Sequence, residues 1–186
     1  MDAVKTNLPG LFVVKPKIFS DQRGEFIKTF NEEAFSQAGL PFELAESYYS
    51  TSKKNVIRGM HFQTPPMAHT KLVYVTRGAI VDVVLDIRKG SPTYGQYAVL
   101  DLSEVNREIA YIPVGFAHGF MSLSDDTCVV YLQTTGYSPE HDAGIHFESF
   151  DMDFGVEDPV VSTRDHSFPR LEDFESPFIY KERSGL

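Results

Sequence analysis

Several side chains in this sequence could together move a proton beside a carbonyl group. His61 lies in "RGMHFQ", between Met60 and Phe62 and three residues after Arg58. His118 lies in "PVGFAHGF", where Gly115 and Gly119 permit close backbone approach. Lys71 opens the apolar run "KLVYV", Tyr131 lies in "YLQTT", Tyr137 in "GYSPE" and Asp165 in "STRDH". An imidazole can take a proton, a phenol can return one, and an ammonium group can hold a developing enolate oxygen. Arg23, in "DQRGEF", and Arg58 add permanent positive charge. Other chemistries fit less well. A metal site could draw on His61, His69 and His118, but Gln63 occupies the position two residues on from His61, and His69 belongs to the loop "TPPMAHT". No Gly-x-Ser-x-Gly elbow occurs, and Cys128, in the apolar run "CVVYL", reads as a small core residue. Each candidate also has an ordinary structural reading. His61 and Tyr131 could be core residues, Lys71 a strand-end lysine, and the arginines partners of surface acids such as Asp21.

The elements that must position these groups are mostly strands. Candidate strands run over Leu11–Val14, Phe42–Tyr49, Val56–His61, Lys71–Thr76, Ala79–Ile87, Gln96–Leu102, Glu108–Ile112, His118–Ser122, Thr127–Thr134 and Gly144–Phe147. "NEEAFSQAGL" reads as a short helix, with Asn31 as N-cap, Glu32 and Glu33 in the first turn and Gly39 closing it. Short strands at this spacing predict a sandwich, jelly roll or barrel. In "AIVDVVLDI", Val81, Val83, Leu85 and Ile87 share one face, and Asp82, Val84 and Asp86 share the other. In "TCVVYLQT", Thr127, Val129, Tyr131 and Gln133 form the mixed face. Alternation alone favours a solvent-facing mixed face, with a polar barrel interior as the alternative. Alternation would also send Arg58 and His61 to opposite faces, unless a bulge at Gly59 reunites them.

Composition bounds the function. The 186 residues suffice for one domain over 1–186, with an irregular segment from about residue 156. The 15 Phe and 9 Tyr lean towards sheet. A net charge of -9 argues against a nucleic-acid partner. A single cysteine allows no internal disulfide, "MDAVKTNLPG" has no apolar signal region, and no apolar run approaches the roughly 20 residues of a membrane span. The expectation is a soluble cytoplasmic protein with no membrane partner.

The runs "DQRGEF", "RGMHFQTPP", "KLVYVTRGAIVDVVLDIRKGSPTYG", "IPVGFAHGF", "YLQTTGYSPEHDAGI" and "STRD" resemble, in order and approximate spacing, those of the dTDP-4-dehydrorhamnose 3,5-epimerase family. The resemblance covers about Pro9 to Pro169. It implies an all-β, cupin-like jelly roll with one or more short helices, a homodimer, no metal or other cofactor, and a nucleotide-diphosphate 4-keto-6-deoxy sugar as substrate. It also implies roles: His61 as base, Asp165 as the carboxylate orienting it, Tyr131 as proton donor and Lys71 as the cation at the C4 oxygen. Arg23, Arg58 and His118 match substrate contacts, and Tyr137 matches the aromatic that stacks on the base. Arg164 stands where the family usually has Lys. Lys28 replaces a usual Glu, Glu46 and Tyr48 replace the Gln and Asn of a Gln-x-Asn run, and Asn55 replaces a common Gly. Lys28, Glu46 and Tyr48 belong to nucleotide and sugar contacts, so the base and the number of carbons inverted are left open. The alternatives are a single-centre epimerase, a silent sugar-nucleotide binding module and a metal cupin. A 3,4-ketoisomerase of the same fold is disfavoured, because its histidine-rich motif is absent after Gly59.

Overall fold

The computed structural model describes residues 1–182; residues 183–186, the end of the expected domain, lie outside them. In chain order the strands are β1 (Asp2–Lys5), β2 (Phe12–Lys15), β3 (Ile18–Asp21), β4 (Gly24–Ile27), β5 (Glu46–Ser52), β6 (Ile57–Gln63), β7 (Lys71–Arg77), β8 (Ala79–Asp86), β9 (Tyr97–Ser103), β10 (Ile109–Ile112), β11 (Phe116–Ser122), β12 (Thr127–Gln133) and β13 (Asp142–Gly144). Helix α1 (Glu32–Gln37) follows β4, and α2 (Thr163–His166) follows β13. One antiparallel sheet has the order β1-β2-β10-β7-β12-β5 and the other β13-β6-β11-β8-β9; β3 and β4 form a separate hairpin. The two sheets face each other as a jelly roll.

Three layers of apolar side chains explain why so little of the sheet is exposed. Val73, Val75, Ile80, Val84, Val129 and Tyr131 pack between the sheets. Phe35, Leu40 and Phe42, on and after α1, cover the outer face of the first sheet against Leu72, Ile109 and Leu132. Phe150 and Phe178 cover the outer face of the second sheet against Val83, Leu85 and Ala117. Much of the phenylalanine is therefore cladding around the sheets rather than strand. The mixed face of β8 is accordingly not solvated: Asp82, Val84 and Asp86 are all fully buried, on the interior side. Alternation reports two environments and cannot say which of them is water.

The element boundaries also carry corrections. The helix forms where expected, with the Asn31 side chain accepting from the Ala34 N–H and Gly39 at φ +74° just beyond its end. β5 starts at Glu46 rather than Phe42, because Phe42 turns into the cladding. The last strand is Asp142–Gly144, not Gly144–Phe147. β1 and the β3–β4 hairpin are additional strands. Asn55 has φ +63°, a left-handed conformation that suits glycine and that asparagine tolerates better than most residues.

At Gly59 the expected bulge is present. His118 pairs with His61 and Phe120 with Arg58, so three residue steps on β6 span two on β11. Gly59 adopts φ +148°, and a Cβ there would stand 2.4 Å from the Gly119 Cα. The extra residue turns Arg58 and His61 to the same side. Gly59→Ala should therefore cost at least about 2 kcal/mol in urea unfolding, through both backbone strain and backbone collision. Gly136→Ala, where no atom lies within 4 Å of the added Cβ, should stay within about 0.5 kcal/mol of wild type.

Candidate active site

Between the sheets lies a cleft of about 480 Å³. Its walls follow the strand period. β5 sends in Glu46, Tyr48 and Ser50, and β12 sends Tyr131 and Gln133. Lys71 comes from β7, His118 and Phe120 from β11, and Arg58, His61 and Gln63 from the bulged β6. His69, Tyr137, Asp142 and Arg164 close the rim and one end. His61 and Tyr131 thus approach from opposite sheets.

His61 Nε2 lies 2.8 Å from Asp165 Oδ1. The other oxygen of that carboxylate, Oδ2, accepts the Gly59 N–H at 3.1 Å. Asp165 is itself placed by α2, where the Ser162 hydroxyl accepts its N–H at 3.0 Å as the N-cap. Burial pushes the His61 pKa down, partly opposed by Asp165, so the ring stays neutral at physiological pH. Burial would raise the Asp165 carboxyl, but hydrogen bonds from His61, Gly59 and Ser162 outweigh it and hold the group below its ordinary value. The pair is a neutral base beside a fixed anion. Such an arrangement favours the imidazolium formed when His61 accepts a proton.

Lys71 is buried, and its Nζ donates to the His61 carbonyl at 3.1 Å. Burial lowers its pKa to about 8 against the pull of Asp142 and Asp82. Beneath the cleft floor, His118 Nε2 lies 2.6 Å from Asp82 Oδ1. Burial pushes the Tyr131 phenol well up, so its proton is kept until a strong base faces it. Tyr48, its cross-strand neighbour, stacks on it with ring centroids 4.7 Å apart at 17°. The Tyr48 hydroxyl accepts from Gln133 Nε2 at 2.7 Å, and burial pushes its pKa up to about 12.

Other expected residues hold the rim. Arg58 Nε donates to Ser52 Oγ at 3.1 Å and Nη2 to the Thr51 carbonyl at 3.2 Å. Tyr137 is largely exposed, with its N–H donating to Glu46 Oε2 at 2.7 Å. Arg164 donates to Asp142 Oδ2 at 2.5 Å and lies over the Phe168 ring. Two expected residues are not brought to this chain's cleft. Arg23 sits at the tip of the β3–β4 hairpin, exposed and paired with Asp21, and Lys28, just past β4, is exposed too. The hairpin pairs only with itself, so nothing in the sheets carries these residues inward.

Sequence reading missed Gln63 and Gln133 and set His69 aside as a loop residue. Gln63 Oε1 accepts the Ser138 N–H at 2.6 Å, and its amide nitrogen donates to Met67 O and Gly136 O, so it ties the rim loops together. The alternation that placed Tyr131 on the mixed face also placed Gln133 there, and that was its one available signal. Among the described residues no group of three or more His, Cys, Asp or Glu is placed to hold a metal ion. No helix among them is long and apolar enough to cross a membrane.

Known proteins share this arrangement of strands. The family described as dTDP-4-dehydrorhamnose 3,5-epimerase matches residues 5–173. A protein of that name from Methanothermobacter thermautotrophicus is 40% identical over 175 residues, covering 91% of this chain and 94% of its own. The crystal structure of the dTDP-6-deoxy-D-glucose-3,5-epimerase of Legionella pneumophila, in complex with dTDP-4-keto-L-rhamnose, superposes with a TM-score of 0.92 at 33% identity, covering 97% of this chain and 99% of that one. ChmJ, a 3'-monoepimerase from Streptomyces bikiniensis solved with dTDP-quinovose, superposes with a TM-score of 0.86 at 31% identity, covering 91% of this chain and 87% of that one. A family match over residues 5–173 and 40% identity across nine-tenths of the sequence show that this chain belongs to the dTDP-4-dehydrorhamnose 3,5-epimerase family.

Proposed function

We propose that the protein is a dTDP-4-dehydrorhamnose 3,5-epimerase, converting dTDP-4-dehydro-6-deoxy-D-glucose to dTDP-4-dehydro-L-rhamnose. The observation that carries this reading is His61, on one sheet and paired with Asp165 of α2, facing Tyr131 on the sheet opposite, with Lys71 buried in the same cleft. A 4-keto group acidifies the hydrogens on C3 and C5. His61 takes one of them, and the electron pair of the broken C–H bond moves onto the C4 oxygen as an enolate. Lys71 holds that charge. As the carbonyl re-forms, the carbon takes the Tyr131 proton on its other face, and the centre is inverted. Exchange with solvent removes the His61 proton and restores the Tyr131 one. A second cycle on the turned ring treats the other carbon. Arg58 and Arg164 supply charge for the diphosphate, His118 a sugar contact, and Tyr137 an exposed ring for the base, with Glu46 holding its backbone. A silent binding module would have no use for this paired geometry.

A single-centre epimerase is the second reading. Tyr48 favours it, because its ring lies against Tyr131 and narrows the space in which the sugar could turn. ChmJ shows that a 3'-monoepimerase shares the fold.

The working unit is proposed to be a homodimer. On the hairpin, Ile18, Phe19 and Phe26 are 42%, 56% and 63% exposed, apolar surface with no cover in this chain. A partner subunit would cover it and bring Arg23 and Lys28 towards a cleft that is not their own. Sedimentation at micromolar concentration should give twice the monomer mass, and a strict monomer would remove this assignment.

Three kinetic outcomes follow. His61→Ala or Asp165→Ala should lower turnover at least about a hundredfold with folding retained; near-normal activity of His61→Ala would end the mechanism. The pH profile of kcat/KM should have an acid limb below the ordinary histidine value, since His61 must be neutral and its pKa is depressed. Its alkaline limb should lie near pH 8, where Lys71 loses its proton; Lys71→Arg should be slower but lack that limb. In heavy water, deuterium should enter both C3 and C5 of the substrate. Label at one carbon would assign a single-centre epimerase, and label at neither with dTDP bound would remove the epimerase reading.

A further inference from the structure

Among the described residues, three buried side-chain polar atoms have no hydrogen-bond partner: Ser50 Oγ, His69 Nε2 and Asp82 Oδ2. Asp82 is engaged through its other oxygen, and whether His69 Nε2 carries a hydrogen depends on the tautomer. The Ser50 hydroxyl always carries one, and it can turn that hydrogen towards an acceptor in reach. Its place in the sheet decides what is in reach. β5 runs antiparallel to β12, with Tyr48 opposite Tyr131 and Ser50 opposite Val129. Ser50 is two residues on from Tyr48, so it shares the cleft face and stands diagonal to Tyr131. The Tyr131 ring is held beside this neighbour. Tyr48 stacks on it at 4.7 Å between centroids, and His118 meets it in a T-shape at 6.2 Å.

Burial pushes the Tyr131 phenol up, and the group that most opposes burial is Ser50, whose hydroxyl favours the phenolate. The Arg58 charge acts in the same direction more weakly, and its Nε and Nη2 already donate to Ser52 and to the Thr51 carbonyl. A phenolate without a donor at this depth would be costly. An unpartnered hydroxyl beside a phenol thus suits the reaction better than the resting state. While Tyr131 keeps its proton, Ser50 has only a neutral oxygen beside it and little is gained. Once the proton leaves for carbon, the Tyr131 oxygen is a strong acceptor, and a hydrogen bond to an ionised oxygen is about twice as strong as a neutral one. An interaction that strengthens as charge develops lowers the barrier rather than the ground state.

We propose that the Ser50 hydroxyl donates a hydrogen bond to the Tyr131 oxygen as that tyrosine gives up its proton, and so controls the inverting half of the reaction. This rests on the epimerase reading and adds a residue to it. His61 takes the hydrogen from one face of the carbon, and the Tyr131 proton passes to the other. Ser50 keeps its own proton and shares it with the phenolate until solvent restores Tyr131. Proton removal by His61 does not involve Ser50, so the two halves of the reaction respond differently to its loss.

The test follows dTDP-4-keto-6-deoxyglucose in heavy water with the full chain, reading deuterium entry and inversion separately. Ser50→Ala should slow inversion at least about tenfold, the scale of one hydrogen bond to a charged group. Deuterium should still enter within about threefold of the wild-type rate, returned by His61 to the face it left. Ser50→Thr, which keeps the hydroxyl, should recover most of the inversion, and both variants should bind dTDP within about twofold of wild type. Wild-type inversion in Ser50→Ala overturns the proposal, as does Ser50→Thr no faster than Ser50→Ala. An equal fall in exchange and inversion also overturns it, marking damage to the whole cleft, and so does weakened dTDP binding, marking a nucleotide contact. Tyr131→Phe supplies an independent check, since it leaves no phenolate to hold. Adding Ser50→Ala to it should not change its deuterium entry, and a further fall overturns the proposal. Absence of exchange in the wild-type protein would instead strike the epimerase reading.

Discussion

Gly59 and Gly119 cross so closely that neither has room for a side chain: a Cβ on Gly59 would stand 2.4 Å from the Gly119 Cα, and one on Gly119 would stand 2.9 Å from the Gly59 Cα. The rest of the cleft depends on this contact. It accommodates one extra residue on β6, which turns Arg58 and His61 into the same space. It leaves the Gly59 N–H pointing out of the ladder, where Asp165 accepts it. The same carboxylate then meets His61. One backbone irregularity thus sets the direction of the imidazole and supplies the anchor for its partner. A regular β6 would place the two residues on opposite faces of the sheet.

The cleft concentrates ionisable groups in an apolar barrel, and each is held by a neighbour of opposite tendency. Asp82 is matched by His118, Asp165 by His61 and a backbone amide, and Lys71 by more distant carboxylates and a carbonyl. Unpaired charges at this depth would cost several kcal/mol each. Lys71 is the least compensated of them, which is why its pKa falls so far. A developing negative charge in the cleft would supply what it lacks. Tyr131 leans the other way, its proton retained by burial.

Much of this was legible in the sequence, for physical reasons that differ from residue to residue. His61, His118 and Tyr131 were legible because polar side chains in apolar, strand-length runs need a partner or a purpose. A sandwich, jelly roll or barrel was legible from the spacing of turn residues, and the resemblance to the epimerase family narrowed it to the jelly roll. The bulge could be framed from Gly59 but not decided, since glycine permits a strained backbone without requiring one. The interior position of Asp82 was not legible, because period two separates faces without naming them. It took the phenylalanine cladding from residues far along the chain to show that β8 has no wet side. Arg23 and Lys28 matched by motif, yet they ride on or beside a hairpin whose strands pair with neither sheet. His69 was read as a loop residue because loops usually face solvent. Its ring is held by Gln63, six residues back, and by Thr135, sixty-six residues on, and the second contact leaves no local trace in the sequence.

The position of Asp165 along the chain has its own consequence. Every strand of both sheets ends by Gly144, and the residue that engages His61 arrives twenty-one positions later, on a one-turn helix. Synthesis proceeds from the N-terminus, so the cleft walls can form before the anion that steadies His61 has been made. A chain severed in the stretch between β13 and α2 would keep every strand of both sheets, but it would lose Arg164 from the rim and Phe178 from the cladding. It would also lose the carboxylate bonded to His61 and the cap on the Gly59 amide in one stroke. The making of the strands and chemical competence are therefore separable in time here: every strand of both sheets can be present while the base is still adrift.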